Sequence, residues 1–222
     1  MDSGPSAEDR RSATELVREA NHRVANHLTL LTATIQLQLD ALKKGPEQVS
    51  RQAACDHLRA AIARIVAIGN LHRRLSGFAG SSIDLGQFLS ETRSELLASL
   101  SAVDRTRVEE RISKGCAVTA EQASIVCLVV GEVIVNALKY AHPPDVPVLI
   151  RLACRRLKRG VVVEIGDDGS GLPEGFDEER DGGVGFRLMR SLLHKIGAEL
   201  DYESSPSGLK FKFTVPPEPV SS

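Results

Sequence analysis

The chain has 222 residues, a formal net charge of −1 and 42% hydrophobic residues, which leaves room for one large or two small domains. The near-zero net charge gives no electrostatic support for binding to nucleic acid or to an anionic membrane surface. No segment approaches the roughly 18 consecutive apolar residues of a membrane span, the polar N-terminus lacks a signal-peptide core, and the four cysteines form no CxxC pair. We therefore expect a cytoplasmic protein with reduced cysteines.

Residues 12–80 predict an antiparallel helical hairpin, because apolar residues recur at steps of three or four in two seams. The first seam contains Leu16, Ala20, Val24, His27, Leu31, Ile35, Gln38 and Leu42, and the second contains Leu58, Ile62, Ile65, Ile68, Leu71 and Leu75. A hairpin alone leaves half of its apolar surface exposed. We therefore predict a homodimer in which two hairpins form a four-helix bundle. Packing of the hairpin on the C-terminal half of the same chain is the alternative.

Residues 83–216 mix helices with mostly antiparallel strands. The pattern predicts strands at 83–85, 108–112, 116–118, 148–154, 160–165, 199–203 and 209–215, a helix that contains residues 88–97, and helices near 120–141 and 186–196. We expect an α+β chain in which the hairpin is followed by a two-layer α/β sandwich. Residues 1–11 and 217–222 are expected to be disordered ends.

Three motifs in the second half carry candidate chemistry. The first lies in the long predicted helix, where Glu132, Asn136 and Lys139 share one face. By itself this face is more typical of a solvent-exposed stripe. As a functional site, Asn136 would offer an oxygen to Mg²⁺, Lys139 would meet a phosphate, and Glu132 would orient water or a proton.

The other two motifs are glycine-rich. In Asp167-Asp168-Gly169-Ser170-Gly171, a carboxylate at the end of a strand can accept a hydrogen bond from an exocyclic amine, such as that of adenine. The same residue types are also common in simple turns. In Gly182-Gly183-Val184-Gly185, glycine-rich backbone enters a helix, which is a ready phosphate site. It is neither a Walker A loop nor a convincing Rossmann fingerprint.

In this order, the three motifs resemble those of the ATP-binding (Bergerat/GHKL) domain shared by histidine kinases, 90-kDa heat-shock chaperones, gyrase B and mismatch-repair ATPases. The resemblance implies that Asn136 ligates Mg²⁺, that Asp167 holds the adenine amino group and that Lys139 lies near the phosphates. It also implies nucleotide contacts for Tyr140 and for the glycines that shape the loops, which are Gly169, Gly171, Gly183 and Gly185.

The first half contains a candidate nucleophile, His22. It lies two residues from the seam positions Ala20 and Val24, and two residues are about 200° of helical rotation, so the seam predicts that His22 faces away from the bundle core. Alone, it would more often be an ordinary surface histidine. An exposed neutral imidazole is a usable nucleophile, which Asn26 could orient while Arg23 meets an incoming phosphate.

The segment from Arg18 to Leu28 resembles the phosphoacceptor helix of the HisKA_2/HWE class of sensor histidine kinases, and Arg64 to Leu75 resembles that class's second helix. The departures are His27, where related sequences often have Asn, and Val184 and Phe186 in place of a leucine pair. The resemblance implies a kinase that transfers phosphate from Mg-ATP to His22 and then to an aspartate of a response-regulator receiver domain.

Only about a dozen residues precede the first predicted helix, so we expect no sensor domain and an input from a separate protein or a missing segment. Two other functions use the same parts. One is a histidine phosphotransferase with an inactive ATP domain. The other is an anti-sigma-type protein-serine kinase or binding module, which would need neither His22 nor the helical hairpin.

Overall fold

The computed structural model describes residues 82–143, 145–178 and 183–217, together with scattered positions between 32 and 70. All of these scattered positions are helical except Ser50. This agrees with the two predicted helices of the hairpin. The candidate residues His22, Arg23 and Asn26 lie outside the described residues.

A five-stranded mixed sheet forms one layer of the second half. Its strands are β2 (Thr106–Ile112), β4 (Val148–Leu157), β5 (Gly160–Gly166), β6 (Leu200–Ser205) and β7 (Gly208–Val215). They lie in the order β2-β4-β5-β7-β6, in which only the β2–β4 pair is parallel. The short strands β1 (Ile83–Asp84) and β3 (Ala117–Val118) form a separate antiparallel pair.

Three helices form the second layer: α1 (Leu85–Ser99), α2 (Ala120–Tyr140) and α3 (Gly183–Lys195). Helix α2 packs on β4 and β5, and both other helices pack against α2. The start of α2 is defined by a capping box, in which Thr119 and Gln122 satisfy each other's backbone N–H groups. The α+β fold with a two-layer sandwich is therefore confirmed.

The core lies between the layers and is continuous. Helix α1 contributes Phe88, Leu89, Leu96 and Leu97, which are all buried. Among the described residues, α2 is the one helix long and apolar enough to cross a membrane, which the sequence analysis did not anticipate. Its most apolar 18-residue window is 72% buried inside the domain, so its apolarity is accounted for by the core.

Helix α3 begins earlier than predicted. It starts at Gly183 rather than near residue 186, so the second glycine-rich motif forms the first turn of the helix. Glycine is a poor helix former, and this is why the periodic pattern placed the start later. The consequence is that the backbone N–H groups of this motif are those of a helix N-terminus.

Candidate functional site

The first motif occupies the C-terminal half of α2. Glu132 is only 8% exposed, although its carboxylate would be expected in solvent. Asn136 and Lys139 are half-buried, and Tyr140, the last residue of α2, is 70% exposed. A solvent-exposed stripe is therefore the wrong description of this face at Glu132, because the carboxylate points into the domain.

The buried carboxylate of Glu132 faces the second glycine-rich motif. A Cβ atom added at Gly185, in the first turn of α3, would lie 3.5 Å from Oε1 of Glu132. The carboxylate thus lies beside the backbone of a helix N-terminus, where the helix dipole favours negative charge. Two motifs that are far apart in the sequence are brought together at this point.

Asp167 follows the last residue of β5 and is held there by the neighbouring strand. Its N–H donates to the carbonyl of Leu209 (3.0 Å), and its Oδ1 accepts from the N–H groups of Gly169 (2.9 Å) and Leu209 (3.4 Å). Among the described residues, both hydrogen bonds to this carboxylate use Oδ1. Oδ2 can therefore accept from an exocyclic amine without breaking the turn.

Close backbone packing explains the glycines around Asp167. A Cβ at Gly169 would lie 2.6 Å from Cα of Ala141, just beyond the end of α2. A Cβ at Gly208 would lie 2.1 Å from the carbonyl oxygen of Asp167, and Gly208 also has a φ of +138°. The first glycine-rich loop is therefore seated directly on the end of α2, so all three motifs meet along that helix.

Gly171 is also required by its surroundings. It has a φ of +72°, and a Cβ there would lie 2.4 Å from the carbonyl oxygen of Ser205 at the β6–β7 turn. The chain thus leaves the first glycine-rich loop pressed against that turn. Gly183 is the first residue of α3.

His142 belongs to the site region, although the sequence showed no motif around it. Its Nε2 lies 2.8 Å from Oδ1 of Asp168, which also accepts a hydrogen bond from the N–H of Leu149 at 2.9 Å. Burial would raise the pKa of Asp168, but the hydrogen bonds from Leu149 and His142 outweigh it and lower that pKa below its ordinary value. In the sequence, the Asp167-Asp168 doublet was the only local feature that could have pointed to this contact.

Comparison with known families gives two matches that together cover most of the chain. The family model described as "Histidine kinase" matches residues 19–100. The model described as "Histidine kinase-like ATPase domain" matches residues 95–214, which contain all three motifs described above.

Comparison with individual proteins gives relatives of the same kind. The chain is 26% identical over 186 residues to the sensor histidine kinase PdtaS of Mycobacterium tuberculosis, covering 83% of this chain and 35% of that protein. It is 28% identical over 216 residues to the blue-light-activated histidine kinase 2 of Erythrobacter litoralis, covering 92% and 58%. The chain thus spans about a third of the length of the PdtaS relatives.

The fold is also found in solved structures. The histidine kinase domain of the Erythrobacter litoralis EL346 blue-light activated histidine kinase superposes with a TM-score of 0.62. At 20% identity, the superposition covers 86% of this chain and 94% of that domain.

Proposed function

We propose that this chain, which belongs to the histidine kinase family and carries a histidine kinase-like ATPase domain, transfers the γ-phosphate of ATP to its own His22. We further propose that residues 12–80 form the dimerisation and phosphotransfer hairpin, that residues 83–216 form the catalytic domain, and that the protein acts in the cytoplasm. The observation that carries the proposal is the position of the buried Glu132 carboxylate beside the glycine-rich start of α3, where a Cβ added at Gly185 would lie 3.5 Å from Oε1.

The residues present fit an adenine nucleotide. Oδ2 of Asp167 would accept from the adenine amino group, while the N–H groups at the start of α3, around Gly183 and Gly185, would meet the phosphates. Lys139 would add positive charge and Tyr140 an exposed aromatic surface at the end of α2. Gly169 and Gly171 would hold the loop between them in place.

The residues also fit a magnesium ion that arrives with the nucleotide. Among the described residues, no group of three His, Cys, Asp or Glu side chains could hold a metal by itself. Mg²⁺ characteristically takes one or two protein oxygens and completes its shell with substrate phosphates and water. The half-buried amide of Asn136 is the oxygen we assign to it, and the ion would neutralise phosphate charge.

The phosphoryl transfer itself is a substitution at phosphorus. A bond forms between an imidazole nitrogen of His22 and the γ-phosphorus, and the bond from that phosphorus to the bridging oxygen of ADP breaks. The imidazole loses its proton, which Glu132 would accept or direct to water. Arg23 would stabilise the incoming phosphate, and Asn26, four residues after His22 in the sequence, would orient the ring.

Exposed apolar side chains on the hairpin support a homodimer. Ile35 and Leu39 on one helix, and Leu58, Ile62 and Val66 on the other, are 43–60% exposed and recur at steps of four. Three of them belong to the apolar seams predicted from the sequence. A second copy of the hairpin would cover these two stripes in a four-helix bundle.

The partner proposed downstream is a response-regulator receiver domain, whose aspartate would accept the phosphate from His22. The input would come from a separate sensor protein or from segments outside this chain. Neither nucleic acid nor a membrane is assigned as a partner, in line with the near-zero net charge.

Incubation with γ-labelled Mg-ATP tests the proposal. We expect acid-labile, base-stable label on the wild type, loss of label in His22→Ala and Asn136→Ala, and normal labelling in His194→Gln, which changes an exposed histidine of α3. A wild type that takes no label from ATP but accepts it from a phosphorylated receiver would instead be a phosphotransferase. Acid-stable label on serine would indicate the protein-serine kinase.

A further inference from the structure

A cluster of four aromatic rings joins the loop after Gly171 to α3 and the sheet. The ring of Phe176 lies 5.6 Å from that of Phe186, and Phe186 lies 5.4 Å from Tyr202 and 5.3 Å from Phe211. Phe186 is buried in the core and follows Gly185 directly. These centroid separations lie within the range of favourable aromatic packing. The loop is therefore attached to the first turn of α3 by aromatic rings that pack in tilted and edge-to-face arrangements.

An ion pair makes a second attachment two residues further along the loop. Nε and Nη2 of Arg190 donate to the two carboxylate oxygens of Glu178 at 2.6 and 2.7 Å, a bidentate arrangement. The hydroxyl of Tyr202, on β6, also hydrogen-bonds Glu178, and burial, followed by the charge of Glu178 and this hydrogen bond, raises the pKa of Tyr202. Glu178 is therefore held from α3 and from β6 at once.

The two attachments lie on one face of α3. Phe186 and Arg190 are four residues apart, so they are neighbours along the helix surface. The first turn they hold contains Gly183 and Gly185, which are poor helix formers and would lose much conformational freedom on ordering. Contacts with residues outside the turn can stabilise its helical conformation, which its own glycines do not favour. We call Phe176, Glu178, Phe186, Arg190 and Tyr202 the loop clamp.

We propose that the loop clamp positions the phosphate-binding N–H groups at the start of α3, with Glu178 and Arg190 as its main positioning residues. This rests on the proposed function, since it concerns the same nucleotide site. A turn that is already ordered loses little conformational entropy when the ligand binds, so the affinity for the ligand is higher than with a flexible turn. The clamp acts at the phosphate end of the nucleotide, because adenine is assigned to Asp167 at the opposite side of the loop.

Binding of two ligands to the full chain tests this inference. We expect Glu178→Gln and Arg190→Lys to weaken Mg-ATP binding roughly three- to tenfold, a range suited to a partly exposed bidentate pair. Adenosine, which has no phosphate, should bind each variant as it binds wild type. In autophosphorylation, KM for ATP should rise by a similar factor while kcat at saturating ATP stays unchanged.

Two further variants make the test specific. The charge-swapped double variant Glu178→Arg with Arg190→Glu should recover most of the ATP affinity, because it restores an ion pair. Glu121→Gln is the matched control, since it removes the 2.8 Å ion pair of Lys195 at the other end of α3. It should leave both ligands unaffected.

The outcomes distinguish the role of the loop clamp from the proposed nucleotide-binding function. Unchanged ATP affinity in both single variants would overturn the role of the clamp, and so would equal weakening of ATP and adenosine, which would mean a general loss of structure. A wild type that binds no ATP would refute the proposed function instead. Arg190→Lys keeps the charge and most of the alkyl chain, so we expect it to fold normally. An unchanged Tm verifies this.

Discussion

Nε2 of His142 lies 2.8 Å from Oδ1 of Asp168, so the second residue after the end of α2 is connected to the loop that carries Asp167. Leu149, near the start of β4, donates its N–H to the same oxygen. One carboxylate therefore joins the end of a helix, the start of a strand and the first glycine-rich loop.

This contact predicts a pH dependence of stability. The folded-state pKa of Asp168 is lowered, because its hydrogen bonds outweigh its burial. Its stabilising contribution is therefore fully present above the unfolded-state pKa of about 3.9 and is lost as the pH falls through the lower folded-state value. In urea unfolding between about pH 3 and 6, we expect Asp168→Asn to be less stable than wild type at the upper end, with the difference shrinking toward the acid end.

The matched control is Asp201→Asn, which changes an exposed aspartate on β6. It should run parallel to the wild type over the whole range. A constant difference between Asp168→Asn and wild type at every pH would show that charge at Asp168 contributes nothing.

Two glycines of the site should respond to alanine in opposite ways. Gly169→Ala places a Cβ 2.6 Å from the backbone of Ala141, so we expect a loss of about 1–3 kcal/mol in the free energy of unfolding. Gly185→Ala meets only Oε1 of Glu132, at 3.5 Å, so stability should be kept or rise by up to ~1 kcal/mol, since alanine favours helix.

Nucleotide affinity provides a second measurement on Gly185→Ala. Gly185→Ala adds a methyl group at the turn assigned to phosphate, so Mg-ATP binding should fall while folding is intact. If Gly185→Ala binds ATP as well as wild type, the phosphates lie elsewhere. Urea titrations and equilibrium binding measure the two effects independently.

The buried carboxylate of Glu132 predicts a kinetic defect without a binding defect. Glu132→Gln keeps the shape of the side chain but removes its ability to accept a proton, so the rate of autophosphorylation should fall about 100-fold. The Kd for Mg-ATP should stay unchanged. Glu121→Gln, an exposed change on the same helix, should leave the rate unaltered. A normal rate in Glu132→Gln would assign this carboxylate to structure alone.

The exposed apolar stripes of the hairpin predict that a charged residue placed within them weakens the dimer. Ile62, 59% exposed, should be covered by the second copy, so Ile62→Glu should shift the protein toward monomer in sedimentation equilibrium. Val103→Glu is the matched control, since Val103 is 57% exposed but lies in the short 3-10 helix after α1. A wild-type monomer at micromolar concentration would contradict the proposed bundle.

The sequence by itself determined the helices and strands of the second half and the identity of the three motifs. Periodicity shows whether a side chain faces a core, and capping residues such as Thr119 show where a helix starts. The order of the motifs pointed to the ATP-binding domain that histidine kinases share with other ATPases, and the segment from Arg18 to Leu28 pointed to the histidine kinases. The family comparison confirmed both. The roles of individual residues, including His22, stay predictions.

The tertiary structure alone decided which distant residues meet. A local pattern does not specify strand order, so the parallel β2–β4 pair was not foreseen, and neither was the contact of His142 with Asp168. The pattern placed Glu132 on a polar face, but only packing against α3 buries it beside Gly185. The pairing of Glu178 with Arg190 also depends on the path of a loop, which is set by long-range contacts rather than by local periodicity.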